Sequence, residues 1–348
     1  MLRQLVICTL PALLLLLGLP ERSYGQADKI FGSKSQPTSG IIVEMGRDKV
    51  VLDTSGVKRD FAVNEITQIT FLDEPSDLNA ARGAVRQKNY NQALTDLRKL
   101  DAAPPTRDVI KQDVEYFKAL CLAKLAMTEG GDKAAAKEAL LAFARAYPQN
   151  FHFYDAAEMI GDLAASSGNS ADAATYYRPI ANAPWPEYQM RGNNATGRAQ
   201  LADKQFEPAL ASFDKVLASD LATPEAAQQK LLATVGKSVC LAETGKADQA
   251  IAALQDIIAK NDAQDAALFG RTYNALGRCY LKQGKPKDAL LAFLHTDVLF
   301  FADPEAHAEA LYYLSQLWND MNKTDRAVAA TNQLKTRYAG SVWNSRKP

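Results

Sequence analysis

Arginine and asparagine recur at one fixed spacing in two parts of the sequence. At 100° per residue, the spacing Arg-x2-Asn-x3-Arg places all three side chains within about 80° of one another on one side of a helix. An arginine offers paired donors to a carboxylate, and an asparagine amide holds an extended peptide backbone. The two sets, named here the polar stripe, are Arg191, Asn194 and Arg198 and, further along the chain, Arg271, Asn274, Arg278 and Lys282. They predict a surface that binds a protein or peptide.

The segment between the two sets is apolar at the corresponding places. Its side chains would accept an apolar group of a bound segment, and they are Leu232, Val235 and Val239. Acidic residues precede the first set at Asp155, Glu158 and Asp162. These carboxylates would instead neutralise the arginines within the protein. Two interpretations therefore stay open, a ligand groove and a solvated or internally paired face.

Patterns typical of catalysis are lacking in the sequence. His152, His295 and His307 lie far apart, with no cysteine or carboxylate at metal-ligand spacing, so each is expected to be a cap or a surface residue. No glycine-rich phosphate loop follows a strand, and no serine or cysteine has a base in a recognisable context. The sequence thus predicts a protein that is not an enzyme and holds no metal or cofactor.

The charge composition of the chain bears on which classes of partner are expected. The 348 residues include 40 Lys+Arg and 40 Asp+Glu, so no net charge favours nucleic acid or an anionic membrane. Apolar residues make up 47% of the chain and charged residues 23%, which is typical of a folded globular protein. The length suffices for two domains or one extended array of repeats.

The N-terminal segment, 1–27, has the features of a secretory signal peptide. Arg3 precedes an apolar run from Leu5 to Leu19, and the small residues Gly25 and Ala27 are spaced as a cleavage site requires. The apolar run is shorter than the ~20 residues that span a bilayer. We therefore expect an exported protein, periplasmic or extracellular, with no integral membrane span after cleavage.

Residues 28–74 alternate between apolar and polar with period 2. Four or five short segments rich in β-branched and aromatic residues are separated by turn residues, which predicts strands of a small SH3-like or Sm-like barrel. Between residues 28 and 72, its six basic and six acidic residues cancel. A neutral module of this kind argues against RNA binding.

From residue 75 onward the pattern is helical and repeats itself. A helix–turn–helix unit recurs about seven times at a mean spacing of about 39 residues, with a small residue in the second helix and a large apolar one four places later in six of the seven units. The aligned small residues are Ala93, Ala139, Ala173, Ala209, Ala250, Ala289 and Ala327. Small side chains let paired helices approach to 8–10 Å.

The unit Leu276-Gly277-x2-Tyr280-x3-Gly284-x4-Ala289-x3-Phe293 resembles the tetratricopeptide repeat (TPR) signature. The resemblance covers roughly residues 77–340, although the period of this chain exceeds the 34 residues usual in that family. It implies a mostly α fold, a right-handed α-solenoid of about seven helical hairpins over 75–342, followed by a C-terminal tail at 343–348. It also implies that the polar stripe lines a concave groove where peptides bind.

These observations predict a non-catalytic scaffold of the cell envelope. Its groove would hold an extended or helical segment of a partner protein. The alternative is a structural, envelope-organising protein whose β module contacts cell-wall polymer or another protomer, with the solenoid acting as a spacer.

Overall fold

The computed structural model describes residues 27–32, 36–128 and 130–346. The predicted signal peptide lies outside these ranges except for Ala27. Five strands form one antiparallel sheet in the order β4-β3-β2-β1-β5. They are β1 (Asp28–Gly32), β2 (Thr38–Met45), β3 (Lys49–Thr54), β4 (Val57–Ala62) and β5 (Ile66–Thr70). The pairings within the described ranges leave β4 and β5 at the two edges, so closure into a barrel stays a prediction.

The sheet shares its core with the first helices of the chain. Val50 and Leu52 of β3 are fully buried in the same apolar cluster as Leu78, Leu97 and Val114, which belong to the helical region. β-branched and leucine side chains on one face of the strands pack there because the helices cover that face. The β module and the start of the helical array are therefore one packed unit.

Asp28 ties this unit together at the first residue of β1. Its fully buried carboxylate accepts hydrogen bonds from the main-chain N–H groups of Ile42 and Leu72 at 2.8 and 2.7 Å. The Arg107 guanidinium donates to both carboxylate oxygens at 2.6 and 2.8 Å. Burial opposes ionisation, but these donors hold the pKa of Asp28 below its ordinary value.

A 3-10 turn, Val63–Glu65, precedes β5, and fifteen α-helices follow the sheet. Fourteen of them form seven sequential pairs whose two members pack on each other. The pairs are α1 (Ser76–Arg86) with α2 (Tyr90–Lys99), α3 (Asp108–Thr128) with α4 (Lys133–Ala146), α5 (Phe153–Ser166) with α6 (Ser170–Ala181), α7 (Pro186–Ala202) with α8 (Phe206–Leu217), α9 (Pro224–Glu243) with α10 (Ala247–Lys260), α11 (Ala266–Lys282) with α12 (Pro286–Val298), and α13 (Pro304–Asp320) with α14 (Thr324–Arg337); α15 is Val342–Ser345. Across the described ranges, no helix combines the length and apolar character needed to cross a membrane.

The turn inside every pair contains one residue in the left-handed backbone region. Such a residue ends the first helix and reverses the chain, and glycine adopts the conformation with the least steric cost. Glycine occupies the place in four turns and a lysine or asparagine in three. The residues are Lys88, Gly130, Gly168, Lys204, Gly245, Gly284 and Asn322.

An alanine is the fourth residue of every second helix. In six pairs it is the alanine that the repeat alignment predicts, and all six are buried. In α4 the predicted Ala139 is only partly buried, whereas Ala136 occupies the fourth position, and Leu140, four places later, is fully buried. The predicted register of this unit was therefore wrong by three places.

Glycines of the first helices contact aromatic rings of the second helices. A Cβ built on Gly277 would lie 2.7 Å from ring carbons of Phe293, and one on Gly197 would lie 2.7 Å from the Phe213 ring. Carbon atoms do not approach so closely, so these rings occupy the space that a side chain would need. The small residue of the repeat signature is thus required by packing between the two helices.

Consecutive first helices also pack on one another. Contacts join α1 to α3, α3 to α5, α5 to α7, α7 to α9, α9 to α11 and α11 to α13. The first helices therefore form one continuous layer along the array. The residues of the polar stripe on α7 and α11 lie in this layer.

The segment after α14 returns to the second pair, which lies far earlier in the chain. A Cβ built on Gly340 would lie 2.6 and 2.7 Å from the carbonyl oxygens of Ala126 and Met127 at the end of α3. Ala339 likewise faces Gly130 in the turn between α3 and α4. The array of pairs therefore bends round until its last part touches its second pair; this is named here the closing contact.

Residues 343–346 are folded onto the array, although the sequence analysis assigned 343–348 to a tail. Trp343 of α15 is buried, and its ring lies 5.4 and 5.7 Å from those of Tyr312 and Tyr313 on α13. The Arg346 guanidinium lies over the Trp343 ring at 4.1 Å. Aromatic packing of this kind holds the end of the described chain against α13.

Candidate ligand-binding surface

The polar stripe on α7 is engaged with its neighbours in the array. Arg191 forms ion pairs with Asp155 at 2.8 Å and Glu158 at 3.0 Å, both on α5. Asn194 is buried, and its amide donates to the main-chain oxygen and the side-chain oxygen of Gln229 on α9 at 2.9 and 2.7 Å. Two acidic residues named in the sequence analysis thus neutralise Arg191, as the second of the open interpretations expects.

The asparagine of α11 likewise donates hydrogen bonds to the next first helix. The buried Asn274 donates to the main-chain oxygen of Ala306 on α13 at 2.7 Å and to the Glu309 carboxylate at 3.2 Å. Asn194 and Asn274 therefore each join their helix to the next first helix along the array. Their Oδ1 atoms are buried and accept no hydrogen bond from the residues described. The repeated asparagine is thus a connector between units.

The cations of α11 are paired on both sides. Arg271 bonds Asp303 at 2.8 Å. Arg278 lies between Glu243 of α9 and Glu309 of α13, at 3.5 and 3.6 Å. Lys282 bonds Glu243 as well, at 2.6 Å. A carboxylate of a ligand would have to displace these acids to reach the guanidinium groups.

Arg198 differs from the other cations of the stripe. It is exposed and makes no hydrogen bond or salt bridge within the described ranges. Its charge acts through space on Glu158, whose pKa is raised by burial and held down in part by Arg191 and Arg198. Arg198 is therefore the stripe's available donor for a ligand carboxylate.

The apolar strip on α9 is largely used by the core. Val235 and Val239 are buried in a cluster with residues of α10 and α11, and only Leu232 keeps a partly exposed side chain. The structure thus brings the stripe and the strip into one layer of helices, in which Arg198 and Lys282 are exposed and Leu232 is half-buried.

Acidic residues of α13 were not foreseen as part of this surface. Glu305 and Glu309 stand one helical turn apart, a spacing visible in the sequence but without meaning until α13 is placed beside α11. Partial desolvation by the surrounding residues and then the neighbouring Glu309 raise the pKa of Glu305 to about 6, although the residue as a whole is exposed, while Ser341 donates to its carboxylate at 3.2 Å. Burial also raises the pKa of Glu309, against the opposing effect of Arg278.

His152 and His307 make packing and hydrogen-bond contacts within the fold. His152 stacks on Tyr116 with ring centroids 3.7 Å apart and contacts Asp113 at 2.9 Å. His307 is buried between Tyr338 and Asp297, at 2.7 and 2.8 Å, so its expected place as a cap or surface residue was wrong. The described ranges contain no group of three or more metal-ligating side chains.

Comparisons with known proteins agree with the helical repeats. A family model described as Tetratricopeptide repeat matches residues 309–341, which include most of α13 and all of α14. A tetratricopeptide repeat protein from Parabacteroides merdae ATCC 43184 is 14% identical over 75% of this chain and 91% of its own, with a TM-score of 0.53. A Rap protein complexed with Competence and Sporulation Factor is 14% identical over 77% of this chain and 76% of its own, with a TM-score of 0.54.

The helical part of this chain has the tetratricopeptide-repeat fold. No curated protein matches the sequence. The TPR match falls on the pair in which Leu314 and the aligned Ala327 are buried. Long first helices, such as α3 with 21 residues and α9 with 20 residues, account for the long period of the pairs in this chain.

Proposed function

We propose that this protein is a non-catalytic scaffold that binds an extended or helical segment of a partner protein along its layer of first helices. The observation that supports this most is the continuous contact of first helices from α1 to α13, together with the closing contact, because an array bent in this way presents one long concave surface. Within this proposal the array is a right-handed solenoid, and the sheet is a small barrel of the SH3-like kind.

The charges of this surface indicate the chemistry of the partner segment. Arg198 on α7 is an exposed cation without an ion pair among the described residues, and Glu305 on α13 is an exposed carboxylate further along the layer. Leu232 on α9 lies between them along the chain. A segment with an acidic residue at one end, an apolar residue in the middle and a basic residue at the other end would match this order. The TPR-fold neighbour crystallised with Competence and Sporulation Factor supports a role in binding.

Capture of partners from an envelope fraction tests this proposal. Wild-type protein and Arg198→Glu are immobilised, and the retained proteins are compared by mass spectrometry. Lys260→Glu is the control, because Lys260 is exposed on α10, a second helix, and changes the net charge equally. A partner retained by wild type and Lys260→Glu but lost with Arg198→Glu is the expected result. Equal retention by all three proteins would contradict binding at the first helices.

The proposed location in the periplasm or outside the cell rests on the N-terminal sequence. N-terminal sequencing of the protein recovered from fractionated cells tests it, and a start near Asp28 in the envelope or medium fraction is expected. Full-length protein in the cytoplasmic fraction would contradict export.

The alternative function assigns contact with cell-wall polymer or another protomer to the β module. Ile41, Val43 and Val57 expose apolar side chains on the sheet, which favours a contact there. Removing the whole module would expose the shared core, so paired surface substitutions are the better test. Ile41→Asp with Val43→Asp should abolish sedimentation with isolated cell wall or lower the oligomeric state. Unchanged sedimentation and an unchanged oligomeric state would remove this alternative.

A further inference from the structure

A second cleft lies on the opposite side of α7 from the polar stripe. It has a volume of about 650 Å³, and its walls are α6 and α8 with α7 as the floor. Gln189, Asn193 and Gln200 of α7 line it, and at 100° per residue they point about 160° away from Arg191, Asn194 and Arg198. The cleft is therefore separate from the surface of the proposed function.

The cleft remains open because small residues form its walls. Ala174 and Ala181 on α6 and Ala218 after α8 line it. At Gly192, α7 approaches α6 so closely that a Cβ there would lie 2.3 Å from the main-chain nitrogen of Ala181. This close approach fixes α6 and α7 against each other on one side, and the alanines leave space on the other.

The lining combines amides with two cations. Asn182, Gln189, Asn193 and Gln200 line the cleft with three hydroxyl side chains, and no carboxylate or aromatic side chain is among the lining residues. Side-chain amides both donate and accept, so they match the alternating N–H and C=O groups of a peptide backbone. A sugar would lack the aromatic side chain on which its ring commonly stacks.

Arg178 and Lys215 are the two cations, and neither has a hydrogen bond or salt bridge among the residues that the structure describes. The carboxylates nearest to them along their own helices are engaged elsewhere, Asp172 with Lys137 and Asp214 with Lys237. Each cation lies in the last turn of its helix, where it also offsets the helix dipole. Offsetting the helix dipole explains why each helix ends with a cation. It does not explain why both cations line the same cleft with no carboxylate among its lining residues.

We propose that this cleft binds an acidic, extended peptide segment of a partner protein. Arg178 and Lys215 receive its carboxylates. The α7 amides bind its backbone with the donors and acceptors left over from their bonds within the protein, since Gln189 and Asn193 each donate once to a main-chain oxygen and Gln200 accepts once from Ser212. The volume falls within the usual range of ligand sites. The protein would then hold two segments at once, one on the first helices and one on the outer side of α7.

An array of immobilised seven-residue peptides with zero to four Asp or Glu residues tests this inference. Fluorescently labelled wild-type protein should be retained more strongly as acidic content rises. Arg178→Ala with Lys215→Ala should weaken the retention at least about tenfold, because two charge-assisted contacts are removed. Arg145→Ala with Lys260→Ala is the control, since both side chains are about 70% exposed on other second helices and their loss changes net charge equally.

Four results separate the possibilities. Loss of retention in the cleft variant alone supports the cleft, whereas equal loss in the control variant shows a nonspecific charge effect and overturns it. Loss with Arg198→Glu, but not with the cleft variant, would place acidic peptides on the first helices and overturn the cleft while supporting the proposed function. Displacement of every acidic peptide by millimolar inorganic phosphate would indicate a simple anion site, and that too overturns a peptide site.

Discussion

The Phe293 ring of α12 fills the space that a side chain at Gly277 of α11 would need, because a Cβ on this glycine would lie 2.7 Å from the ring. Gly277→Leu should therefore force the two helices apart and lower the free energy of unfolding by about 1–3 kcal/mol. Urea unfolding followed by circular dichroism measures the change. Gly83→Ala in α1 is the control, because a Cβ there meets nothing closer than 3.8 Å and alanine favours the helix. A stable Gly277→Leu protein would show that the helix packing is different.

Asn274 connects α11 to α13 through the carbonyl of Ala306. Asn274→Ala should cost about 1–3 kcal/mol of unfolding free energy, because a buried hydrogen bond is lost. Asn193→Ala offers a matched comparison, since the Asn193 amide bonds only to the carbonyl of Gln189 in its own helix and should lose less than about 0.5 kcal/mol. Similar losses in both variants would mean that Asn274 does not connect the two units.

Glu305 makes the free energy of unfolding depend on pH in the range between the pKa of its carboxyl in the unfolded state and that in the folded state. Its pKa is raised from 4.5 to about 6 in the folded protein, so the folded state binds the proton more tightly than the unfolded state. The resulting stabilisation is complete below pH 4.5 and is lost as pH rises through 6. Glu305→Gln should thus be more stable than wild type at pH 7, by less than about 1 kcal/mol because the side chain is exposed. Urea midpoints at pH 4 and pH 7 measure this difference, and the same offset at both values would contradict it.

Gly340 allows the chain after α14 to rest against the end of α3. Gly340→Val has no room for its side chain beside the carbonyls of Ala126 and Met127, so the closing contact should open. Small-angle X-ray scattering should then show a larger radius of gyration than in wild type. Ala339→Gly, which removes a methyl group at the same contact, should keep the wild-type dimensions. A Gly340→Val protein with unchanged scattering would show that the array is closed by other contacts.

Local features of the fold were predictable from the sequence, and relations between distant units were not. Strand alternation, the hairpin turns and the buried alanines follow from residue types at short range. The register of α4 was misassigned because the run Ala134 to Ala136 precedes another alanine at 139, and the side chain of Asp132, which caps the helix, decides between them. The closing contact joins residues far apart in the chain, and no local pattern encodes it.

In the candidate surface, too, the local features were predictable and the relations between distant units were not. The spacing of the polar stripe predicts that its residues share one side of α7 and of α11. Their partners, among them Asp303 and Glu309, lie on or beside the next first helix, so the pairing depends on how successive units are rotated. The two cations of the outer cleft belong to different hairpins, and no local pattern indicates that they come together.

The shared core of the sheet and the first three helices sets an order for folding during synthesis. Strands β1 to β5 are made first, and Leu52 and Ile69 share one apolar cluster with Leu78 of α1, Leu97 of α2 and Val114 of α3. About 45 residues of sheet are too few to form a stable core by themselves. We therefore expect the strands to become stable only once the first helices have been added, and the sheet and these helices to unfold in one cooperative step.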